Sequence, residues 1–281
     1  MEIKITALIL CIFFVFFLVR PACAAEDDPV IGLALSGGAS WGLAHIGVLE
    51  VLEEEGIEFK IIAGTSSGAL VGSLYAGGMS PQAMAEEAKS IAWTDFVDPI
   101  IQGMGFFSTR GIEEFVASHL PEDEFQALPI ELAVVAADLD TGDEVVLNSG
   151  SVSKAVAASA AIPVIFDPVE YDDWLLADGG LVNNLPLELV RELGADKVIA
   201  VDVASNFRFT GRPETRTEVG IRAYNILMLD RTASKNADVF IRPDLNGIPG
   251  TDFSSHQEII ERGREAARKV LPEIRDLLEE E

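Results

Sequence analysis

The chain has 281 residues, 49% of them hydrophobic and 23% charged, which supplies a sizeable core and excludes a disordered segment. Forty-six acidic residues against twenty basic ones give a net charge of −26, so no nucleic-acid partner is expected and docking through a basic patch on anionic lipid is disfavoured.

In chain order, the first segment stands apart. Lys4, an apolar run from Ala7 to Val19 and the small residues Ala22-Cys23-Ala24 read as an export signal over residues 1–24, giving a periplasmic or secreted protein. An uncleaved membrane anchor is the alternative, although the run is shorter than the ~20 residues that cross a bilayer. Arg20-Pro21 ahead of Cys23 argues against lipidation there. Cys11 and Cys23 are the only cysteines, so the processed chain would hold no disulfide, thiol nucleophile or cysteine metal site.

Residues 30–281 read as one domain without a long linker or repeat. Val30 to Leu35 is an apolar strand, Ser36-Gly37-Gly38 a loop, and Ser40 to Glu55 a helix with Leu43, Ile46, Leu49 and Leu52 at helical spacing. Phe59 to Ala63 is a strand that runs into Gly64-Thr65-Ser66-Ser67-Gly68 and a small-residue helix from Ala69 to Ala76. Further strands are expected at Ile130 to Ala137, Glu144 to Leu147, Trp174 to Ala177 and Lys197 to Val203. Strands alternating with helices predict a mostly parallel sheet covered on both faces. Phe96 to Ser108 is apolar and has no basic residue, so it reads as a core excursion, a lid or a surface that contacts lipid.

Gly64-Thr65-Ser66-Ser67-Gly68 fits Gly-x-Ser-x-Gly, the tight strand-to-helix turn that exposes a serine hydroxyl; a glycine-rich helix start is the plainer alternative. A nucleophilic serine needs a base and an oxyanion site. The amides around Gly37-Gly38 can supply the oxyanion site at the positive end of a helix. Nucleotide binding is the rival reading of that loop, but Ala39 stands where the dinucleotide fingerprint needs glycine. Of the three histidines, His45 reads as a packing residue, and His119 and His256 fall in charged helical segments; no metal cluster is expected. Asp178, in Asp178-Gly179-Gly180 after an apolar strand, is either the base or an ordinary Asp-Gly turn. As a base it would depend on burial to raise its pKa.

Taken together, LALSGGASWGLAHIGVLEVLEEEGI, GTSSGALVGSLYAGG, AADLDTGDEVVL, ASAAIPVIFDPV and DGGLVNNLPLELVRELGADKVIAVDV resemble the patatin-like phospholipase family over residues 31–203. The resemblance implies a three-layer α/β/α hydrolase with a mostly parallel central sheet and a serine–aspartate pair that needs no histidine. It implies Ser66 as nucleophile, Asp178 as base, and the amides of Gly37, Gly38 and Ala39 as oxyanion donors. Gly42, Gly64, Gly68, Gly179 and Gly180 would support the motifs, with no cofactor or metal. The implied activity is hydrolysis of phospholipid or lysolipid acyl esters. The alternatives are a non-catalytic lipid-binding module of the same fold, or an esterase or thioesterase for soluble acyl substrates. Family members often carry glycine where Ser36 and Ala39 stand and arginine where Trp41 stands; Trp41 is expected to form an apolar wall near the acyl chain.

Overall fold

The computed structural model describes residues 29–204, 211–231 and 237–279, so the expected export signal over residues 1–24 and both cysteines lie outside the described residues. Strand β1 (Ile31–Leu35) leads through a 3-10 turn (Ala39–Gly42) into helix α1 (Leu43–Glu54), and β2 (Ile61–Thr65) leads into α2 (Ser67–Ala76). Next come α3 (Pro81–Glu87), α4 (Trp93–Phe96), a small hairpin of β3 (Asp98–Pro99) and β4 (Phe107–Ser108), and α5 (Arg110–His119). The rest of the sheet is β5 (Glu131–Asp138), β6 (Glu144–Leu147), β7 (Val169–Tyr171), β8 (Trp174–Asp178), β9 (Lys197–Val201) and β10 (Val239–Ile241). Helices α6 (Val152–Ser159), α7 (Leu187–Glu192), α8 (Arg216–Arg231) and α9 (His256–Glu279) complete the chain.

The strands run β10-β9-β1-β2-β5-β8-β7, with β6 also on β5. From β10 to β5 every pairing is parallel; β6 and β8 oppose β5, and β7 opposes β8. Side-chain alternation divides the core between the two faces of the sheet. Leu33, Leu35, Ile62, Val134, Ile199 and Val201 pack with α1, α6 and α9 on one face. On the other, the smaller Ala34, Ala63, Ala133 and Ala200 leave room for short α7, which covers them with Leu187 and Val190. This is the three-layer α/β/α architecture with a mostly parallel sheet. Helices α1 and α9 meet backbone to backbone: a Cβ on Gly47 would lie 1.9 Å from Ile260 O.

One expected element divides. The helix predicted from Ser40 begins only at Leu43, because partners distant in sequence hold the preceding turn. Ser40 N–H donates to Gly250 O at 2.9 Å, and the Trp41 indole donates to Ile248 O at 2.9 Å. Phe96 to Ser108 is not a core excursion. Phe96 is buried, but Ile101, Met104 and Phe106 stand out into solvent, Ile101 completely. Asp167 Oδ1 accepts the Met104 and Gly105 amides at 2.6 Å each, which ties the hairpin down.

Candidate active site

Ser66 follows β2 and caps α2 with φ 53° and ψ −122°, a conformation that costs a non-glycine residue energy and that a strand-to-helix elbow imposes. Its neighbours must be glycine. A Cβ on Gly64 would lie 2.7 Å from the Ala69 backbone, and one on Gly68 would lie 2.4 Å from Leu35 O. The strained Ser66 amide donates to Ser159 Oγ at 2.8 Å, and that hydroxyl in turn donates to Val135 O on β5 at 2.5 Å. The motif glycine Gly42 makes room for Ser67, 2.5 Å from where its Cβ would stand.

Strand β5 also sets the position of Asp178. Val135 pairs with Thr65 and Ala136 pairs with Asp178, so the ends of β2 and β8 flank the same strand. Gly179 lies against this strand, where a Cβ would meet Val135 O at 2.2 Å. Asp178 is fully buried, and Oδ1 accepts the Gly180 N–H at 2.8 Å. Burial raises its carboxyl pKa from 3.8 to about 6, partly offset by the Gly180 amide and by the hydroxyls of Ser66 and Tyr224. Those two hydroxyls stand close enough to favour the charged carboxylate, yet neither completes a well-formed hydrogen bond. Oδ2 and Tyr224 Oη each have no partner. Ser66 and Asp178, 112 positions apart in sequence, thus share one site.

The loop after β1 carries the three amides expected as oxyanion donors, and one of them already has an acceptor. Gly37 N–H donates to Asn184 O at 3.1 Å, while Asn184 Nδ2 donates back to Gly37 O at 3.3 Å. Gly37 is therefore an anchor, and its amide is already occupied. Among the described residues the amides of Gly38 and Ala39 have no acceptor. Ala39 adopts φ 50°, the left-handed region that glycine enters freely, so its side chain carries strain at this position.

The other departures have structural reasons. Ser36 Oγ accepts the Val203 N–H at 3.0 Å, a bond that glycine lacks. Trp41 is buried and tied to Ile248; it is not in the pocket wall, so it braces the loop and the expectation of an acyl-contacting wall is corrected. His45 is fully buried with Nε2 2.8 Å from Ser36 O, and burial lowers its pKa to about 4. It is a neutral donor that braces the same loop. His119 lies 2.8 Å from Phe115 O of its own helix, and His256 opens α9.

Beside Ser66 lies an apolar pocket, partly open to solvent. Its wall includes Leu70, Phe96, Ile112, Ile162, Phe166 and Phe253, together with Ala39 and Gly42. Among the described residues that line it, Ser66 and Ser67 provide the only polar side chains, so this wall suits a hydrocarbon chain. Ser159, Asn184 and Tyr224 belong to no motif that the sequence marks as functional. Ser159 and Asn184 sit within the ASAAIP and NNLP stretches quoted for the resemblance; Tyr224 lies outside every stretch and left no signal.

Comparison with known proteins identifies the family. A family model described as patatin-like phospholipase matches residues 33–191, which contain Ser66, Asp178 and the loop after β1. An uncharacterized NTE family protein of Mycobacterium tuberculosis is 32% identical over 88% of this chain and 47% of its own length. Another, from Mycobacterium bovis, is 37% identical over 63% of this chain and 50% of its own. A protein named lysophospholipase nte1, from Aspergillus fumigatus, is 26% identical over 87% of this chain and 18% of its own length. The chain therefore spans about half the length of the mycobacterial relatives. Among solved structures, VipD from Legionella pneumophila superposes with a TM-score of 0.53 at 15% identity, covering 87% of this chain and 67% of VipD. The type III effector ExoU superposes with 0.50 at 13% identity, covering 90% of this chain and 54% of ExoU. At those identities the two likenesses concern the fold alone. With the family model spanning the serine elbow, the aspartate strand and the loop between free amides and buried anchors, the chain belongs to the patatin-like phospholipase family.

Proposed function

We propose that the chain is a serine hydrolase of lipid acyl esters, of phospholipase or lysophospholipase type, with Ser66 as nucleophile and Asp178 as base. The observation that carries this reading is a strained, glycine-flanked Ser66 sharing a buried site with a carboxyl of raised pKa, next to an apolar pocket. Asp178 accepts the Ser66 proton as Oγ bonds to the ester carbonyl carbon. The free amides of Gly38 and Ala39 receive the oxyanion. Collapse of the tetrahedral intermediate breaks the ester bond, and the alcohol leaves with the proton from Asp178. Water then gives a proton to Asp178 and attacks the acyl-enzyme; Asp178 returns that proton to the departing Ser66 Oγ, releasing the fatty acid and free Ser66. The acyl chain occupies the pocket lined by Leu70, Ile162 and Phe166.

The protein should hydrolyse p-nitrophenyl butyrate and lysophosphatidylcholine, with Ser66→Ala reducing turnover by at least about 10³-fold. Equal turnover by the variant would overturn the assignment. Activity confined to soluble thioesters would move the substrate class away from lipids.

The hairpin tip bearing Ile101, Met104 and Phe106 is the proposed contact with a neutral lipid surface, since Phe96 at its base lines the pocket and the chain's charge of −26 opposes anionic headgroups. Serine at all three positions should weaken activity on phosphatidylcholine vesicles and spare p-nitrophenyl butyrate. Residues 1–24 are proposed as the export signal of a single hydrolase domain, to be checked by the N-terminal sequence of protein recovered outside the cytoplasm.

A further inference from the structure

Asp178 uses only one of its two oxygens in well-formed hydrogen bonds. Oδ1 holds the Gly180 amide, while Oδ2 is buried with no partner. Tyr224, on α8, brings a second unpartnered group to the same place. Its hydroxyl is buried and unsatisfied, and it reaches the turn after β8 only because residue 180 is glycine, where a Cβ would lie 2.6 Å from Oη and 2.7 Å from Met228 Sδ. A buried donor without an acceptor and a buried acceptor without a donor are each costly, and a small rotation that joins them removes both costs.

We propose that Tyr224 is a positioning residue for acyl transfer: its hydroxyl donates to Asp178 Oδ2 and holds the carboxylate ionised, ready to take the Ser66 proton. The inference rests on the Ser66–Asp178 reading above. In the step itself the Ser66 O–H bond breaks, the Oγ–C bond forms and the proton passes to Asp178; Tyr224 keeps its own proton throughout. Burial and the Asp178 charge raise the tyrosine pKa well above 10, which keeps it a donor.

The neighbouring elements leave this role to Tyr224. The turn after β2 presents the Ser66 hydroxyl, and the turn after β8 presents the Gly180 amide. Four charged groups on α8, α6 and β5 have partners elsewhere. Arg222 of α8 donates to Gly211 O, and Glu218 accepts the Glu214 amide. Lys154 of α6 lies over the Tyr171 ring, and Asp138 of β5 accepts from Thr141.

The test is the pH profile of kcat/KM for p-nitrophenyl butyrate. A neutral donor to a carboxylate favours its charged form, so Tyr224→Phe should move the acid limb upward by about one pH unit. That shift corresponds to about a fivefold loss at pH 6 and none at pH 9. Met228→Leu, which alters packing on the same helix without touching the hydroxyl, should leave the limb in place. A Tyr224→Phe profile with an unmoved limb, or one lowered equally at every pH, overturns the proposal. So does a limb displaced equally by Met228→Leu. Ser66→Ala in the same assay separates the two readings: an active Ser66→Ala variant removes the dyad itself, whereas an inactive one beside an unmoved Tyr224→Phe limb removes only the role of Tyr224.

Discussion

Asp178→Asn should make the protein more stable while abolishing its activity, and the advantage should depend on pH. The folded state raises the carboxyl from its ordinary 3.8 to about 6, chiefly through burial. Between those values the native state binds more protons than the unfolded chain, so stability falls as pH rises and the full cost is present above pH 6. That cost is about 3 kcal/mol. Asparagine does not ionise, and its Oδ1 can still accept the Gly180 amide that Asp178 holds at 2.8 Å. Thermal unfolding at pH 8 should therefore place Asp178→Asn above the wild type by on the order of 5–10 °C for a domain of this size. At pH 4 both side chains are neutral in the native state, and the two curves should nearly coincide. A variant that is less stable at pH 8, or one with the same advantage at both pH values, would refute the claim that a buried, costly carboxylate is maintained in this site.

Other perturbations act on the supports of the site. Ser159→Ala leaves the Ser66 amide unpaired inside the protein, so unfolding by denaturant should show a loss of about 1–3 kcal/mol, and steady-state kinetics a fall in kcat larger than any change in KM. Trp41→Phe removes the indole bond to Ile248 O, and the same denaturation assay should show a loss of about 1–3 kcal/mol. Because Trp41 is outside the pocket wall, the preference of that variant across acyl-chain lengths should match the wild type; a changed profile would restore the tryptophan to the substrate site. The kcat/KM of the wild type should fall as pH drops through about 6, where protonated Asp178 can no longer accept the Ser66 proton.

What the sequence made legible was local. Val30 to Leu35 and Glu144 to Leu147 are short apolar runs whose strand character needs no distant partner, and they appear as β1 (Ile31–Leu35) and β6 (Glu144–Leu147). The Ser66 elbow could be read because both constraining glycines lie two residues away. Asp178 could not be chosen over an ordinary turn from its own surroundings, since its environment is assembled from β2, β5 and α8; the family resemblance supplied that choice. The engagement of the Gly37 amide is hidden in the sequence for the same reason. Its acceptor is the carbonyl of Asn184, 147 positions along the chain, and nothing near Gly-Gly reveals it. The place of Trp41 in the loop suggests a pocket residue, but its indole is directed to Ile248 by a contact still more remote in sequence.

Ser66 is proposed as a nucleophile activated by Asp178. Reaction with a fluorophosphonate probe, followed by mass mapping of the modified peptide, tests that role directly. One adduct should form on Ser66, more slowly as pH falls below about 6, with none on Ser66→Ala and much slower labelling of folded Asp178→Asn. An adduct on another residue, or an Asp178→Asn protein labelled as fast as the wild type at pH 8, would contradict it.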